Sequence, residues 1–182
     1  MEQRALGKTG INVSSIGIGA MPLSISGRPS TKQAIQVLHT AFDLGIDLVD
    51  TADVYCVDHR DIGHNERLIA QALKEWKGSA SIVVATKGGL ERPNGDWVSN
   101  GKPAHLKAAC EASLKALNRE CIDLYQLHAP DDRVPLFESI HALAELQKAG
   151  KISRPAIFTI SFAQSIAGVL CSGRIEISQR LL

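Results

Sequence analysis

Residues 81–86 read SIVVAT and residues 122–127 read IDLYQL, and these two runs with the segment between them decide the fold. The first run is short, continuously apolar and rich in β-branched side chains, which is typical of a buried parallel strand. Between the runs, Pro103 opens a helical pattern whose apolar residues recur at helical spacing as far as Leu117. A strand, a helix and a second strand in this order predict a parallel β-α-β unit.

The same alternation continues on both sides of this unit. Upstream, the sequence predicts a β-hairpin in the first twelve residues, a strand over 15–20, a helix from an N-cap at Thr31 to Gly45, a strand over 46–49 and a helix over 65–76. Downstream, it predicts a helix over 135–149, a strand over 156–160, a short helix over 163–170 and a last strand over 175–178.

Alternating strands and helices fit either a doubly wound sheet or an arc of a (β/α)8 barrel. The dinucleotide-binding sequence G-x-G-x-x-G of the doubly wound class is missing, because Gly17-Ile18-Gly19 has no third glycine. We therefore predict a single α/β domain over residues 1–182, of the parallel (β/α)8 TIM-barrel type with an N-terminal hairpin. A full barrel has eight units and about 250 residues, so the prediction is a barrel that ends after about its sixth strand.

The composition is that of an ordinary globular protein, with 20 Lys and Arg residues, 19 Asp and Glu residues, a net charge of +1 and 45% apolar residues. These values exclude a disordered, collagen-like or coiled-coil chain, and they give no reason to expect nucleic acid or a membrane as a partner. Four cysteines stand far apart, the N-terminus lacks the apolar segment of a signal peptide, and no apolar run approaches about 18 residues. We expect a cytoplasmic protein with reduced cysteines.

Polar side chains follow three consecutive strands of the pattern. Asp50 follows the second strand, Lys87 the third and His128 the fourth, while Tyr55 stands in the loop after Asp50. Because active sites of parallel barrels lie at the carboxyl ends of the strands, we expect these four side chains to converge. The carboxylate would keep the lysine charged and the lysine would lower the pKa of the phenol, which predicts a proton-transfer site with an orienting histidine. Taken singly, each of the four residues also has a structural interpretation.

A second polar cluster lies in the loop and first helical turn after the strand that precedes Asp50. It consists of Asp58, His59, Asp61, His64 and Glu66. These residue types can ligate a metal and leave open a metal-dependent barrel hydrolase. A catalytic zinc needs three ligands that converge in a tetrahedron, whereas these five candidates share one flexible loop. We favour a solvated loop with charges at a helix N-terminus, and we predict no metal site.

Five segments carry a resemblance to one enzyme family. They are DTADVY at 50–55, GHNE at 63–66, ATKG at 85–88, SLK at 113–115 and IDLYQLH at 122–128. In order, spacing and residue type, the sequence over roughly residues 2–152 resembles an aldo-keto reductase.

The resemblance implies an oxidoreductase that uses NADP(H) to reduce an aldehyde or ketone to an alcohol, or to catalyse the reverse reaction. Hydride would pass from the nicotinamide to the carbonyl carbon while Tyr55 protonates the oxygen. Lys87, paired with Asp50, would tune Tyr55, and His128 would orient the carbonyl. The implied cofactor-binding residues are Gly19, Met21, Asp50 and Gln179. The implied substrate-binding residues are Tyr55, Trp97 and His128, of which Trp97 would form a pocket wall.

Two features depart from the family pattern. Phe158-Thr159 stands where the family has a Ser-Asn pair that would hold the nicotinamide carboxamide, and a phenylalanine side chain cannot form that hydrogen bond. Strands seven and eight, with loops that would bind the cofactor phosphates, are not found before residue 182. We therefore keep an alternative, a catalytically inactive remnant or interaction module, and we expect the exposed edge of the last strand to favour self-association.

Overall fold

The computed structural model of the chain describes residues 1–78, 81–158 and 176–178. In these ranges the helices are α1 (Thr31–Asp43), α2 (His64–Glu75), α3 (Pro103–Leu117) and α4 (Leu136–Lys148). The strands are β1 (Gln3–Ala5), β2 (Asn12–Ser14), β3 (Ile18–Gly19), β4 (Leu48–Asp50), β5 (Val83–Gly88), β6 (Leu90–Glu91), β7 (Val98–Ser99), β8 (Ile122–Leu127), β9 (Ile152–Phe158) and β10 (Glu176–Ser178). Single 3-10 turns lie at Met21–Leu23, His59–Asp61 and Pro93–Gly95.

Six of these strands form a parallel sheet in the order β3-β4-β5-β8-β9-β10. Helix α1 connects β3 to β4, α2 connects β4 to β5, α3 connects β5 to β8, and α4 connects β8 to β9. The short antiparallel pair β6-β7 is inserted between β5 and α3. From β3 to β9, consecutive strands of this sheet are therefore neighbours joined by helices, which confirms the predicted parallel β/α class.

The main core lies between the sheet and the helices. Its fully buried side chains come from both layers and include Leu38, Val49, Ile69, Leu106, Ile122 and Leu143. A smaller cluster on the other face of the sheet contains Ala85, Leu124 and Ala156, with Leu6 packed against it. Because side chains alternate along a strand, Ala85 and Lys87 lie on the same face. Lys87 is therefore directed toward the interior of the arc.

The predicted N-terminal hairpin is formed by β1 and β2, which pair antiparallel. It is attached to the residue before β4, because the Asp47 carboxylate accepts hydrogen bonds from Gln3 Nε2 at 2.7 Å and from the Ser14 amide at 2.6 Å. Asp47 marks the amino end of β4. The hairpin therefore packs at the amino ends of the strands and leaves the carboxyl ends for the site.

The start of α1 differs by one residue from the prediction. Thr31 is the first helical residue, and the N-cap is Ser30. The Ser30 hydroxyl accepts a hydrogen bond from the Gln33 amide at 3.4 Å, and the Gln33 side chain accepts one from the Ser30 amide at 3.1 Å. This reciprocal capping box explains why the serine, and not the threonine, ends the extended segment.

Among the described residues, no helix is long and apolar enough to cross a membrane.

Several strand bounds need correction: β4 (Leu48–Asp50) and β5 (Val83–Gly88) each begin two residues later than predicted. The first parallel strand is shorter than 15–20, because only Ile18 and Gly19 pair with β4. Strand β9 begins at Ile152, four residues before the predicted 156, because β8 pairs with it from Ile122 onward. Pairing with a neighbouring strand outweighs the unfavourable local composition of Ser153-Arg154-Pro155. The predicted helix over 163–170 lies outside the described residues.

Candidate active site at the carboxyl ends of the strands

The site is built where four neighbouring strands end. Gly19 is the last residue of β3, Asp50 the last of β4, and Lys87 the second last of β5. His128 follows directly after β8, and its amide donates to the Gly88 carbonyl at 2.8 Å. Parallel pairing aligns these ends, so side chains far apart in sequence meet on one rim.

Lys87 is the centre of this group, and its side chain has no exposed surface. Its Nζ lies 2.7 Å from both carboxylate oxygens of Asp50 and donates to the Thr51 carbonyl at 2.8 Å and to the Tyr55 hydroxyl oxygen at 3.0 Å. Burial lowers the pKa of Lys87, and the neighbouring carboxylate of Asp50 opposes that shift. The structure thus brings Asp50, Lys87 and Tyr55 together as the sequence predicts.

The fourth predicted residue, His128, faces the same phenol. The rings of Tyr55 and His128 meet edge to face, with centroids 5.6 Å apart and an interplanar angle of 82°. Burial, assisted by the positive charge of Lys87, lowers the pKa of His128 to about 3. Its Nδ1 is buried and has no hydrogen-bond partner within the described part of the chain. The imidazole is therefore neutral at physiological pH, with one N–H to donate and one nitrogen to accept.

Aromatic rings surround this polar centre. Trp97, 47% exposed, places its ring centroid 6.3 Å from that of Tyr55 and 6.4 Å from that of His128. The Phe158 ring lies perpendicular to the His128 ring, with the two centroids 5.9 Å apart. The centroid of Phe158 also lies 5.2 Å from Lys87 Nζ. Phe158, where the family pattern has a polar residue, thus contributes an apolar wall beside the ammonium group.

Three of the four predicted cofactor-binding residues, Gly19, Met21 and Asp50, lie at the ends of the adjacent strands β3 and β4 or directly after them. At Gly19, an added Cβ would meet no atom within 4 Å, so the end of β3 borders open space. The Asp50 side chain is 40% exposed, and Met21 lies in the 3-10 turn that follows β3. Gln179 and Thr159 lie outside the described residues.

Sequence reasoning missed the role of Asn65, the second residue of α2. Its amide nitrogen donates to the Ala20 carbonyl at 2.8 Å and to the Ser24 hydroxyl at 2.6 Å, and its carbonyl accepts from the Thr51 hydroxyl at 2.6 Å. Because Asn65 is fully buried, its amide group needs hydrogen-bond partners within the protein. Asn65 therefore ties the loops after β3 and β4 together beneath the rim, and its place in the GHNE run is the signal that could have revealed it.

The second polar cluster is dispersed among other partners. Asp58 pairs with Arg60, Asp61 pairs with Arg28, and His64 Nδ1 lies 2.8 Å from the Ser24 hydroxyl. Within the described ranges, no three His, Cys, Asp or Glu side chains are grouped as a metal site would require. The hydrolase hypothesis therefore gains no support from the structure.

Of the two remaining members, His59 lies in the 3-10 turn His59–Asp61, and Glu66 is buried behind the site. It accepts a hydrogen bond from the Thr86 hydroxyl at 2.6 Å, beside Lys87. Burial raises the pKa of Glu66, and burial together with the charge of Glu66 raises the pKa of Asp53. The environment beneath Lys87 is thus short of solvent, so charges in it interact strongly.

Comparison with known proteins gives a consistent result. The model of the aldo/keto reductase family matches residues 15–179. The chain is 34% identical over 166 residues to aldo-keto reductase YhdN of Bacillus subtilis (strain 168). The matched region covers 90% of this chain and 49% of that protein. The chain is also 38% identical over 150 residues to probable aldo-keto reductase 1 of Glycine max, and this match covers 81% of this chain and 42% of that protein. The chain thus spans about half the length of the curated relatives it matches.

Solved structures agree with this result. Aldo-keto reductase AKR11C1 from Bacillus halodurans (holo form) superposes with a TM-score of 0.83 at 31% identity, covering 98% of this chain and 58% of that one. The glycerol dehydrogenase AKR11B4 from Gluconobacter oxydans gives a TM-score of 0.80 at 30% identity, with 96% and 54% covered. The six-stranded sheet therefore corresponds to part of an aldo-keto reductase barrel. From its sequence motifs, its fold and these similarities together, the chain belongs to the aldo/keto reductase family, whose members are oxidoreductases of carbonyl compounds.

Proposed function

We propose that this chain carries the proton-transfer centre of an NADP(H)-dependent reductase that interconverts a small aldehyde or ketone and its alcohol. The observation that supports this most is the position of Lys87 Nζ, within 3.0 Å of both the Asp50 carboxylate and the Tyr55 hydroxyl oxygen. Family members use a nicotinamide cofactor. The preference for NADP(H) and the residue roles below are parts of the proposal.

Tyr55 is the proposed proton donor. Because the Lys87 ammonium donates to the phenol oxygen, the phenol can donate its own O–H proton to a substrate oxygen. The positive charge then stabilises the phenolate that remains, which brings the phenol closer to a useful acid at neutral pH. Asp50 is the positioning residue that keeps the ammonium charged and oriented.

His128 is proposed to orient the substrate carbonyl. The imidazole is neutral, so a single N–H can donate a hydrogen bond to the carbonyl oxygen without competing with Tyr55 as an acid. The edge-to-face packing of His128 against Tyr55 and Phe158 fixes the plane of its ring. Two donors then point at one oxygen, and they strengthen their bonds as negative charge develops there.

The residues at the rim fit a nicotinamide group. The open space at Gly19 and the partly exposed carboxylate of Asp50 adjoin the proton donor, and the rings of Phe158 and Trp97 add apolar surface beside His128. Gly19, Met21, Asp50 and Gln179 are the residues proposed to hold the cofactor. When bound, the cofactor supplies or accepts the hydride. A cytoplasmic location and a small carbonyl or alcohol substrate remain predictions of the sequence.

The test replaces Tyr55 by phenylalanine. Tyr55→Phe should lower the rate of NADPH-dependent carbonyl reduction by about 10²–10⁴-fold, because general-acid catalysis is lost, while NADPH binding stays near its starting value. Nicotinamide absorbance measures the rate, and fluorescence titration measures binding. Tyr125→Phe, a buried tyrosine of β8 with no role at the rim, is the matched control and should keep the activity. Unchanged activity of Tyr55→Phe would contradict the proposed proton donor.

A further inference from the structure

Arg92 lies just after β6, in the loop that follows the third barrel strand, and it is only 6% exposed. Within the described residues no carboxylate forms a salt bridge with it, and its Nε and Nη1 are buried without hydrogen-bond partners. A guanidinium group does not lose its charge when buried, so such a position is costly. The contacts that Arg92 does make must therefore offset part of this cost.

Those contacts lead to the site from two sides. Arg92 Nη2 donates to the carbonyl oxygens of Cys56 and Val57, each at 3.2 Å, in the turn that directly follows Tyr55. The guanidinium carbon also lies 3.7 Å from the ring centroid of Trp97, which is close cation-π stacking. One buried side chain thus holds both the turn after the proposed proton donor and the aromatic wall beside it.

Trp97 depends on this stack for its orientation. The ring is half exposed, and it meets Tyr55 and His128 through its edge at centroid distances above 6 Å. Loose contacts of this kind do not fix a rotamer, whereas a planar guanidinium beneath one face does.

We propose that Arg92 is a positioning residue that sets Trp97 as the wall of the substrate pocket and thereby determines how tightly the carbonyl substrate is held. The kinetic part of this inference rests on the proposed function. The structural part, the dependence of the Trp97 orientation on Arg92, does not.

The first experiment measures Trp97 without requiring activity. Trp76→Phe leaves Trp97 as the sole tryptophan of the chain. In that background, Arg92→Met should lower the steady-state fluorescence anisotropy of Trp97 and raise its acrylamide quenching constant about twofold, because the stack is lost. Arg60→Met removes an exposed arginine from the neighbouring loop and should leave both quantities unchanged. Unchanged anisotropy and quenching in a folded Arg92→Met protein would overturn the proposal.

The second experiment uses para-nitrobenzaldehyde and NADPH as probes. Arg92→Met should raise KM for the aldehyde roughly fivefold and change kcat by less than about threefold, because uniform substrate binding is lost. In a Trp97→Ala background, Arg92→Met should raise KM much less, since the two residues act as one unit. Additive effects on KM would show that Arg92 does not act through Trp97 and would overturn the kinetic part.

A variant that keeps the charge covers the case in which Arg92→Met does not fold. Arg92→Lys can still donate to the Cys56 and Val57 carbonyls but lacks the planar face, so its fluorescence should change as in Arg92→Met. Wild-type fluorescence in Arg92→Lys would overturn the stacking role. If the wild type and every variant lack reductase activity while the fluorescence changes as expected, the proposed function fails and the positioning of Trp97 by Arg92 stands.

Discussion

Lys87 shows how a charged residue can be held inside a protein. Its ammonium group has three donors, and the Asp50 carboxylate, the Thr51 carbonyl and the Tyr55 hydroxyl accept from it. Removing one partner of such a buried group leaves a charge uncompensated, which costs several kcal/mol. The residue therefore depends on its neighbours for stability, and the same contacts give the phenol its proposed acidity.

His128 leads to a prediction about stability at acid pH. Its pKa is about 3 in the folded protein and about 6.5 in an unfolded chain, so between these values the unfolded state binds more protons. The stabilisation associated with the neutral His128 is fully present above pH 6.5 and is lost as the pH falls toward 3. The free energy of unfolding should therefore decrease by about 3 kcal/mol between pH 7 and pH 4. His128→Asn should therefore flatten the pH dependence of stability in this window.

Urea unfolding at a series of pH values measures the slope. His141→Gln is the control, because the His141 side chain is 73% exposed on α4, and it should keep the wild-type slope. His141 is only a minor cause of the lowered pKa of Glu145, on which Lys107 acts more strongly, so the comparison between variants isolates His128. Equal slopes in His128→Asn and the wild type would show that the imidazole is not held neutral.

At the scale of elements, the strand ends are placed by packing between neighbouring strands and helices. Strand β5 delivers Lys87, and its last residue, Gly88, lies against Tyr125 of the adjacent strand β8. A Cβ at Gly88 would lie 3.0 Å from Tyr125 Cζ and 3.4 Å from the Ala109 side chain on α3. The glycine is required because β5, β8 and α3 approach one another closely at this point.

Gly88→Ala should accordingly destabilise the protein by about 2 kcal/mol through overpacking, measured by the midpoint of urea unfolding. Adding Tyr125→Phe should recover part of this loss, because the Tyr125 hydroxyl is the atom nearest to the added Cβ and the variant removes it. Gly19→Ala, at a position with open space, serves as the control and should cost less than about 1 kcal/mol. A Gly88→Ala protein as stable as the wild type would rule out the proposed close packing.

At the scale of the whole molecule, the described sheet has two edges, at β3 and at β10. Strand β3 pairs on one side with β4, and next to it Ile16 is 60% exposed. Unpaired strand edges with exposed apolar residues favour association. We therefore propose that copies of this chain associate through the β3 edge. The sequence analysis expects self-association as well, but through the edge of the last strand, at the opposite side of the described sheet.

Sedimentation velocity over a range of protein concentrations tests this association. The wild type should form dimers or larger species, and Ile16→Lys should shift the distribution to monomer, because a charge opposes edge pairing. Val37→Lys, a change at a 48% exposed position of α1, should leave the association as it is. A wild-type chain that is monomeric at every concentration would remove both self-association and the interaction-module alternative based on it.

The sequence by itself predicted the order of the hairpin, the parallel strands and the helices from Gln3 to Lys148, without the inserted β6-β7 pair, and the convergence of Asp50, Lys87 and His128. Both follow from local physics, because the spacing of apolar residues reflects the geometry of strands and helices, and parallel strands bring their carboxyl ends together. The motif around Tyr55 placed the phenol in the same site. Boundaries were less accurate, since the start of β9 and the Ser30 N-cap depend on pairing and on side-chain hydrogen bonds.

The tertiary structure decided which loop residues reach the site. Trp97 was anticipated as a pocket wall, but the stacking of Arg92 on it, the buried network of Asn65 and the packing of Phe158 on His128 were not. These contacts join residues whose spacing in the sequence carries no periodic signal. Their positions are fixed by the burial of polar groups that must find partners in the folded chain, and only the three-dimensional arrangement shows which partners they find.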